Sequence, residues 1–527
     1  MPTRLLSLFV IGGLALLFAM PAVAQQTAGT TLRFIPFADL LILDPYMGSY
    51  ITRNYGYMVY DALFAMDIDF RPQPQMVNMW TVSDDKLTYT FTLRDGLKFH
   101  DGQPVRAADV VASLKRWGQR NNAYGQPLLA AAVVIEAIDE KQFRVELKAT
   151  FPVLEALGTP TLPTPFIMPE RPARTDPFTQ IKEAIGSGPF RFVKEEWQPG
   201  HRVVYVKNAD YVPRDEPPNW AAGGKVVKVD RVEWLYIPDA VTAAQALSSG
   251  EVDYWEYVPN DHVSALEHDP NISITSGQHL IRVVRFNHLQ PPFNNIKMRQ
   301  AVLAVADQRD YLSAIAGDQR NWGTCFSFYA CDVQEPDEQG GEALSGPRDY
   351  EKAKRLVAES GYKGERIVLL DAADTPQGHA AALVTNGLLL QLGLNVELAT
   401  IEFGTFFKRI NMREPVDHGG WSIYNVGLAS FEIINPATNR YLHASGVAGG
   451  VPGWPTDEKI EALRLAWVAA TDDARRRDLA HQIQQRAFEF VPYIPAGEYL
   501  QRVAFRKNLV GRIEASIPFL WNIEKLQ

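Results

Sequence analysis

Apolar and polar residues alternate strictly over positions 87–94. The apolar positions are Leu87, Tyr89, Phe91 and Leu93. This period of two predicts a β-strand with one buried face. The same pattern recurs in Gln142–Lys148, where Phe143, Val145 and Leu147 alternate with polar residues, and predicts a second strand.

The segment after the first of these strands combines turn residues with a helical pattern. Positions 95–104 hold two Asp-Gly pairs and a proline, which favour tight turns. Val110, Leu114 and Trp117 then follow at i, i+4 and i+7, the spacing of one apolar helix face. We therefore expect His100 and Asp101 to lie at a strand–turn–helix corner.

The rest of the chain divides into two parts with different patterns. Strands are predicted around 191–197, 201–208 and 230–237, and a helix over 242–249 that Gly250 ends. Beyond about residue 285, helical and strand patterns alternate up to the two helices around 460–467 and 479–487, and 335–347 is expected to be an exposed loop. This alternation is typical of α/β proteins and suggests two mixed α/β lobes with a cleft between them.

The first 24 residues have the pattern of a secretory signal peptide. Arg4 precedes an almost wholly apolar stretch from Leu5 to Met20, and Ala22 and Ala24 supply the small residues of a cleavage site. A membrane anchor is the alternative, but the apolar stretch is shorter than the roughly 20 residues of a membrane span. We expect an exported protein that begins at Gln25 and does not insert into the membrane.

Composition adds two constraints on function. The net charge is −9 and no run of five like charges occurs, which argues against a nucleic-acid partner. Eleven tryptophans and twenty tyrosines provide aromatic surface for cores and for ligand clefts.

The chain has two cysteines, Cys325 and Cys331, in an irregular segment. Two close cysteines in an oxidising compartment predict a disulfide, with two free thiols as the alternative. A metal site would need further ligands, and none lie nearby in the sequence.

No catalytic motif is evident. His262 and His268 are six apart, and the ten histidines form no metal-binding motif; a G-x-S-x-G elbow and a phosphate-binding loop are also lacking. His100 and Asp101 are therefore interpreted as a structural corner. The sequence predicts no catalytic residue, no cofactor and no metal, and an exported hydrolase remains a remote alternative.

Several segments, in order along the chain, resemble the family 5 extracellular solute-binding proteins of ABC importers, which bind dipeptides, oligopeptides or nickel. The most extensive is SDDKLTYTFTLRDGLKFHDGQPVRAADVVASLKRW, residues 83–117. LDPYMGSYITRNYGYMVYDALF (43–64), GSGPFRFVKEEW (186–197), SSGEVDYW (248–255), FNHLQPPFNNIKMRQAV (286–302), YEKAKRLVAESGY (350–362) and VPYIP (491–495) are also similar.

This resemblance implies a two-lobe periplasmic binding protein fold of the type II, three-domain variant, with a hinge and an interlobe ligand cleft. The implied first domain comprises 25–66, 180–284 and 496–527, with a domain inserted at 67–179, and the second lobe comprises 285–495. Two crossing strands would form the hinge, and the lobes would close over the ligand.

The resemblance also implies site residues. Peptide-binding members have a Trp-x-x-Asp-Tyr segment whose Asp pairs with the peptide's ammonium group, and this chain reads GGWSIYNVG at 419–427. Trp421 matches, but Tyr424 stands in place of the Asp, so either Asp417 or Asp39 compensates or the ligand lacks a free α-ammonium. The remaining expected ligand-binding residues are Ser49, Tyr50, Trp255 and Asn425.

The function implied is that of the periplasmic substrate-binding component of an ABC importer. Its partners would be a small peptide or peptide-like solute and the permease subunits, and the protein would be a monomer. The alternative within the family is a non-peptide ligand: an opine, a sugar conjugate, an aromatic compound or a chelated metal.

Overall fold

The computed structural model describes residues 30–47, 49–332, 337–449 and 451–526. The predicted signal peptide lies outside the described residues. The strands of the described chain are β1 (Thr31–Ile35), β2 (Asp61–Ala62), β3 (Phe64–Met66), β4 (Pro72–Pro74), β5 (Val77–Val82), β6 (Thr88–Leu93), β7 (Ala132–Ala137), β8 (Gln142–Leu147), β9 (Phe166–Ile167), β10 (Phe190–Phe192), β11 (Arg202–Lys207), β12 (Arg231–Leu235), β13 (Tyr254–Val258), β14 (Ile272–Phe286), β15 (Trp322–Gly323), β16 (Ile367–Ala372), β17 (Val396–Ile401), β18 (Ile423–Ala429), β19 (Tyr493–Arg506), β20 (Leu509–Val510) and β21 (Glu524–Lys525).

The α-helices of the same residues are α1 (Tyr50–Val59), α2 (Ala107–Arg120), α3 (Gly125–Ala131), α4 (Val153–Gly158), α5 (Glu170–Ala173), α6 (Ala240–Ser249), α7 (Asn260–Glu267), α8 (Ile296–Leu303), α9 (Gln308–Ala316), α10 (Glu342–Ser345), α11 (Tyr350–Glu359), α12 (Pro376–Gln391), α13 (Phe403–Ile410), α14 (Glu458–Ala469) and α15 (Asp473–Phe490). No helix in these described ranges is both long and apolar enough to cross a membrane.

The largest sheet extends through both halves of the molecule. Its strand order is β10-β11-β12-β1-β13-β19-β14-β18-β16-β17, with β15 beside β19. The long strands β14 and β19 pair antiparallel from Ile272↔Arg506 to Arg285↔Tyr493, with two register shifts. They connect the strands of the first half to those of the second, so β14 and β19 occupy the position expected of a hinge.

A separate four-stranded antiparallel sheet, β5-β6-β8-β7, lies within residues 67–179. It contains both strands predicted from alternation, and α2 is the predicted helix. Val110, Leu114 and Trp117 are at most 1% exposed. The Trp117 indole also donates a 2.7 Å hydrogen bond to the carbonyl of Pro163. These elements confirm the two strands and the helix that the polar and apolar periodicity predicts.

The buried apolar residues form two large clusters and one small one. One large cluster joins β1, α1 and the C-terminal segment to residues of the 67–179 region, and the other lies within residues 281–499. The small one packs α6 and α7 against β13. The predicted domain boundaries stay a prediction. We call residues 285–495 the second lobe and the remaining residues, including the insert at 67–179, the first lobe.

Two local predictions were incomplete. The predicted strand at 191–197 ends at Phe192, and Lys194–Glu196 forms a 3₁₀ turn because three consecutive charged residues do not alternate in and out of a sheet. The expected loop at 335–347 contains the one-turn helix α10 in its described part.

Candidate functional site

Charged residues of the two lobes meet at the start of α1. Tyr50 and Arg53, one helical turn apart, face Glu432 in the 3₁₀ turn that follows β18. The Tyr50 hydroxyl donates a 2.7 Å hydrogen bond to Glu432 Oε2, and Arg53 Nη1 lies 3.9 Å from Glu432 Oε1. Together with Arg440, which acts electrostatically on Tyr50 and Glu432, these residues form what we call the interlobe cluster.

Arg53 is held between aromatic rings. Its side chain is 2% exposed, and the guanidinium carbon lies 4.8 Å from the ring centre of Phe431 and 5.2 Å from that of Tyr50. Arg53 Nε and Nη1 are buried and have no hydrogen-bond partner among the described residues. The site therefore holds a desolvated cation with unused donors.

The interlobe cluster carries an excess of positive charge, since two guanidinium groups share the carboxylate of Glu432. Burial, and then the negative charge of Glu432, raises the pKa of Tyr50 well above its usual value, whereas the nearby arginines oppose this rise. Tyr50 therefore stays a neutral hydrogen-bond donor at physiological pH.

A second polar group continues from α1 into the first lobe. Glu256 accepts a 3.0 Å hydrogen bond from Asn54 Nδ2 and a 2.7 Å bond from the backbone N–H of Phe37. Burial raises the pKa of Glu256 to about 7, despite the lowering effect of these hydrogen bonds and of Arg53. Asn54 follows Arg53 directly, so α1 links this protonatable carboxyl to the interlobe cluster.

A cavity of about 220 Å³ lies between the insert and the second lobe. The insert contributes Tyr124, and the second lobe contributes Phe431, Asn435 and Trp467. Phe431 contacts both the cavity and Arg53, although Arg53 is not itself one of the residues that line the cavity. Aromatic walls with a few polar groups are typical of small-molecule sites, although this volume is below the usual range of roughly 300–1,000 Å³.

Three further polar contacts join the insert to the second lobe. Arg476 forms a 2.9 Å ion pair with Glu155 of α4. Asn122 donates to the carbonyl of Gly449 at 3.0 Å, and Thr150 donates to the carbonyl of Ala469 at 3.2 Å. The two lobes are therefore in direct contact, and these bonds must break if the lobes separate.

The structure places the predicted site residues in several environments. Tyr50 belongs to the interlobe cluster, and Ser49 precedes it as an exposed residue. Trp255 is buried against α6 and α7 in the small cluster. Asp417 is exposed and pairs with Arg366 at 2.8 Å, at the end of β16 opposite to the interlobe cluster.

Trp421 and Tyr424 lie in the core of the second lobe. Both are 0% exposed, and their ring centres are 4.9 Å apart. The Trp421 indole donates to the carbonyl of Ile410 at 3.0 Å. Asn425 faces the other side of β18, where its Oδ1 accepts a 3.1 Å bond from Thr385. Direct contact of these residues, and of Ser49, Trp255 and Asp417, with a ligand stays a prediction.

Arg53, Glu432 and Glu256 were not predicted as site residues. Arg53 was visible in the sequence as a charged residue inside a largely apolar helix, which is a signal for a functional role. Glu432 lies between Phe431 and Ile433, and Glu256 between Trp255 and Tyr257, so each is likewise a lone charge among apolar or aromatic residues in the sequence.

His100 and Asp101 form a corner of the scaffold in the first lobe. The His100 backbone N–H donates to the carbonyl of Gly186, and its Nε2 lies 3.1 Å from that of Gly188. Asp101 accepts a 3.0 Å bond from the backbone of Gln103. These contacts tie the corner to the segment that precedes β10 and fit the structural role predicted for it.

The predicted disulfide is present between Cys325 and Cys331. Within the described residues, Glu498 is the third member of the one group of possible metal ligands, with these two cysteines. Both sulfurs are bonded to each other, so no thiolate is available to a metal ion.

Comparison with known proteins identifies the family. Residues 71–447 match the family described as bacterial extracellular solute-binding proteins, family 5 middle. The chain is 37% identical, over 97% of its length and 96% of the relative, to the probable peptide ABC transporter periplasmic-binding protein y4tO of Sinorhizobium fredii. It is 26% identical to the dipeptide-binding protein DppE of Bacillus subtilis, over 88% of this chain and 85% of the relative.

Solved structures share the fold. The periplasmic binding protein AgaA of Agrobacterium tumefaciens R10, in complex with agropinic acid, aligns with a TM-score of 0.78 and 22% identity, covering 94% of this chain and 99% of the other. The dipeptide-binding protein of Pseudoalteromonas sp. SM9913, in complex with Met-Leu, aligns with a TM-score of 0.77 and 20% identity, covering 94% and 100%. These likenesses confirm the predicted periplasmic binding protein fold, and the extensive family match shows that the chain belongs to the family 5 bacterial extracellular solute-binding proteins.

Proposed function

We propose that this protein is the substrate-binding component of an ABC importer and captures a peptide or peptide-like solute between its two lobes. The observation that carries this proposal is the meeting of both lobes at a buried, incompletely paired polar cluster beside a cavity. Membership of a solute-binding family and the 37% identity to a probable peptide-binding relative support it.

The mechanism follows from the hinge and the interlobe contacts. Strands β14 and β19 connect the lobes, and small backbone changes in these strands would separate the lobes. A solute would enter the open form, and the bond from Tyr50 to Glu432 would re-form as the lobes close. A solute stabilises the closed form only through contacts that are stronger in the closed form than in the open form. The interlobe cluster lies where such contacts would form.

A peptide-like solute is favoured because the site offers groups of both charges and neutral donors. Glu432 can accept from an ammonium group, and Arg53 can donate to a carboxylate. The second candidate is an opine, favoured by the agropinic acid bound to the structurally similar AgaA.

The proposal includes the route and partners of the protein. The N-terminal pattern of Arg4, an apolar stretch and Ala22-x-Ala24 supports export to the periplasm with cleavage before Gln25. There the closed protein would deliver its solute to the permease subunits of the importer, acting as a monomer and without chemical turnover.

The experiment is a thermal-shift screen of the mature protein against a casein digest, single dipeptides and an opine such as agropinic acid. Binding raises the melting temperature by mass action, so a rise with the digest or a dipeptide supports a peptide solute. A rise with the opine alone favours the second candidate. Chromatography of the recovered solute would show any turnover, and hydrolysed peptide would contradict the binding-protein role.

A further inference from the structure

We propose that Arg53 binds a carboxylate group of the captured solute and makes the site selective for solutes that carry one. This inference rests on the proposed function, because it takes the interlobe cluster to be part of the solute site. It adds that the anionic end of the solute is held by α1 of the first lobe.

Other buried arginines of the described chain make several hydrogen bonds. Arg116 is 1% exposed, and its Nη2 pairs with Asp44 at 2.7 Å and donates to the Thr179 carbonyl at 3.0 Å. Arg299 is 2% exposed and donates to the carbonyl oxygens of Phe293, Phe490 and Val491. Each of these two guanidinium groups makes several hydrogen bonds, although Arg116 Nε has no partner among the described residues, as the cost of burying an unpaired charge leads one to expect.

Arg53 departs from this pattern. Its side chain is as buried as that of Arg299, yet Nε and Nη1 have no hydrogen-bond partner in the described structure. The carboxylate of Glu432 is 3.9 Å away, beyond hydrogen-bond length, and its other oxygen accepts from Tyr50. Nε and Nη1 of Arg53 can therefore donate to a bound solute, because no described residue accepts from them.

The surroundings of Arg53 specify what that acceptor is. The rings of Phe431 and Tyr50 lie beside the guanidinium group at 4.8 and 5.2 Å, which leaves its edge to a planar partner. A carboxylate matches the guanidinium fork with two parallel hydrogen bonds. It would also add a negative charge beside Arg53 and Arg440, which share the carboxylate of Glu432.

A cavity that could hold the rest of the solute is linked to this position through Phe431. Phe431 forms both the stacking partner of Arg53 and a wall of the 220 Å³ cavity. A solute with its carboxylate at Arg53 could place an apolar portion against Tyr124 and Trp467 of the cavity. The unused hydrogen-bond donors of Arg53 are thus maintained for binding, at the expense of stability in the empty protein.

The first test measures thermal shifts of wild type, Arg53→Met and Arg53→Lys. The probes are a casein digest and the same digest with all carboxyl groups converted to amides. Wild type should bind the amidated digest at least about tenfold more weakly than the free digest, and Arg53→Met should bind the free digest more weakly by a similar factor. Arg53→Lys keeps the charge but loses the forked guanidinium group, so its affinity for the free digest should lie between those of wild type and Arg53→Met.

Equal responses of wild type to both digests, or an unchanged response of Arg53→Met to the free digest, would overturn the inference. If wild type responds to neither digest, the peptide proposal fails. The second test alone then decides whether Arg53 serves binding or stability.

The second test needs no solute and compares melting temperatures of Arg53→Met and Arg116→Met in the empty protein. Arg116 is the matched control, because it is equally buried in the first lobe but pairs with Asp44 at 2.7 Å and uses both Nη1 and Nη2 in hydrogen bonds, with Nε alone lacking a partner among the described residues. Arg116→Met should lower the melting temperature strongly or prevent folding, whereas Arg53→Met should leave it unchanged or raise it. A loss with Arg53→Met as large as that with Arg116→Met, or a failure to fold, would show that Arg53 is structural and would overturn the inference.

Discussion

Tyr424, a predicted ligand-binding residue, is buried in the second lobe, and its contact with a ligand stays a prediction. The match of Trp421 to the family's tryptophan suggested that Tyr424, three residues later, stands where an ammonium-binding Asp is found. Tyr424 instead packs on Trp421 and Phe406 inside the second lobe, with ring centres 4.9 and 5.7 Å apart. The interlobe carboxylate of this segment is Glu432, beyond the end of β18.

Tyr424→Asp should therefore destabilise the protein in the first instance. The change removes a buried ring and places a carboxylate in the core, which together cost about 3–5 kcal/mol of unfolding free energy. Urea denaturation measures this loss, and Tyr424→Phe, which keeps the ring, is the matched control. Unchanged stability of Tyr424→Asp with altered solute affinity would contradict the structural role and support the predicted role of Tyr424 in binding.

His100 predicts an acid-sensitive contribution to stability. Burial lowers the pKa of His100 from 6.5 to about 4. Between these pH values the His100 imidazole stays neutral in the folded protein but is protonated in the unfolded chain. Stability is therefore lost as the pH falls from about 6.5 to about 4, by about 2–3 kcal/mol over the window.

Urea denaturation at pH 7.5 and pH 4.5 tests this contribution. His100→Gln cannot take up the proton, so its stability should fall less between the two pH values than that of wild type. An equal fall in both proteins would mean that His100 is not held neutral by the fold.

Among the secondary-structure elements, local periodicity was sufficient for prediction where it was regular. The alternation at 87–94 gave β6, and the spacing of Val110, Leu114 and Trp117 gave α2. The pairing of β14 with β19 could not be predicted, because it joins segments about 200 residues apart and depends on the shape of the whole chain. The interlobe cluster could not be predicted for the same reason, since Tyr50 and Glu432 are brought together only by that topology.

The disulfide stabilises a segment that borders β19. The Cys331 backbone N–H donates a 2.6 Å hydrogen bond to Glu498 of that strand. Closing so short a loop contributes about 2 kcal/mol on the chain-entropy model, so the double variant Cys325→Ser, Cys331→Ser should lose about that much stability. Thiol titration of unfolded, unreduced wild type should find no free thiol, and reduced wild type is the control that should match the variant. Two titratable thiols in unreduced wild type would contradict the pairing.

For the molecule as a whole, the proposed opening and closing of the lobes would depend on the contacts between them. Glu155 of the insert and Arg476 of the second lobe form a partly buried ion pair, and Arg476 also stacks on Trp467 at the cavity wall. Such a pair contributes up to about 1 kcal/mol, or about fivefold in an equilibrium constant. Because this energy exists only when the lobes touch, it acts on closure rather than on either lobe alone.

Glu155→Gln should therefore shift the ligand-free protein towards the open form by up to about fivefold. Small-angle X-ray scattering should show a larger radius of gyration, and affinity for a casein digest should fall by a similar factor, because the binding-competent closed form is less populated. Asp417→Asn is the matched control: it also breaks a carboxylate–arginine pair, but that pair lies within the second lobe and is exposed. An increase in radius with Asp417→Asn would show that lost surface charge alone opens the protein. An unchanged radius with Glu155→Gln would mean that the apolar contacts around Phe431 and Trp467, rather than this ion pair, hold the lobes together.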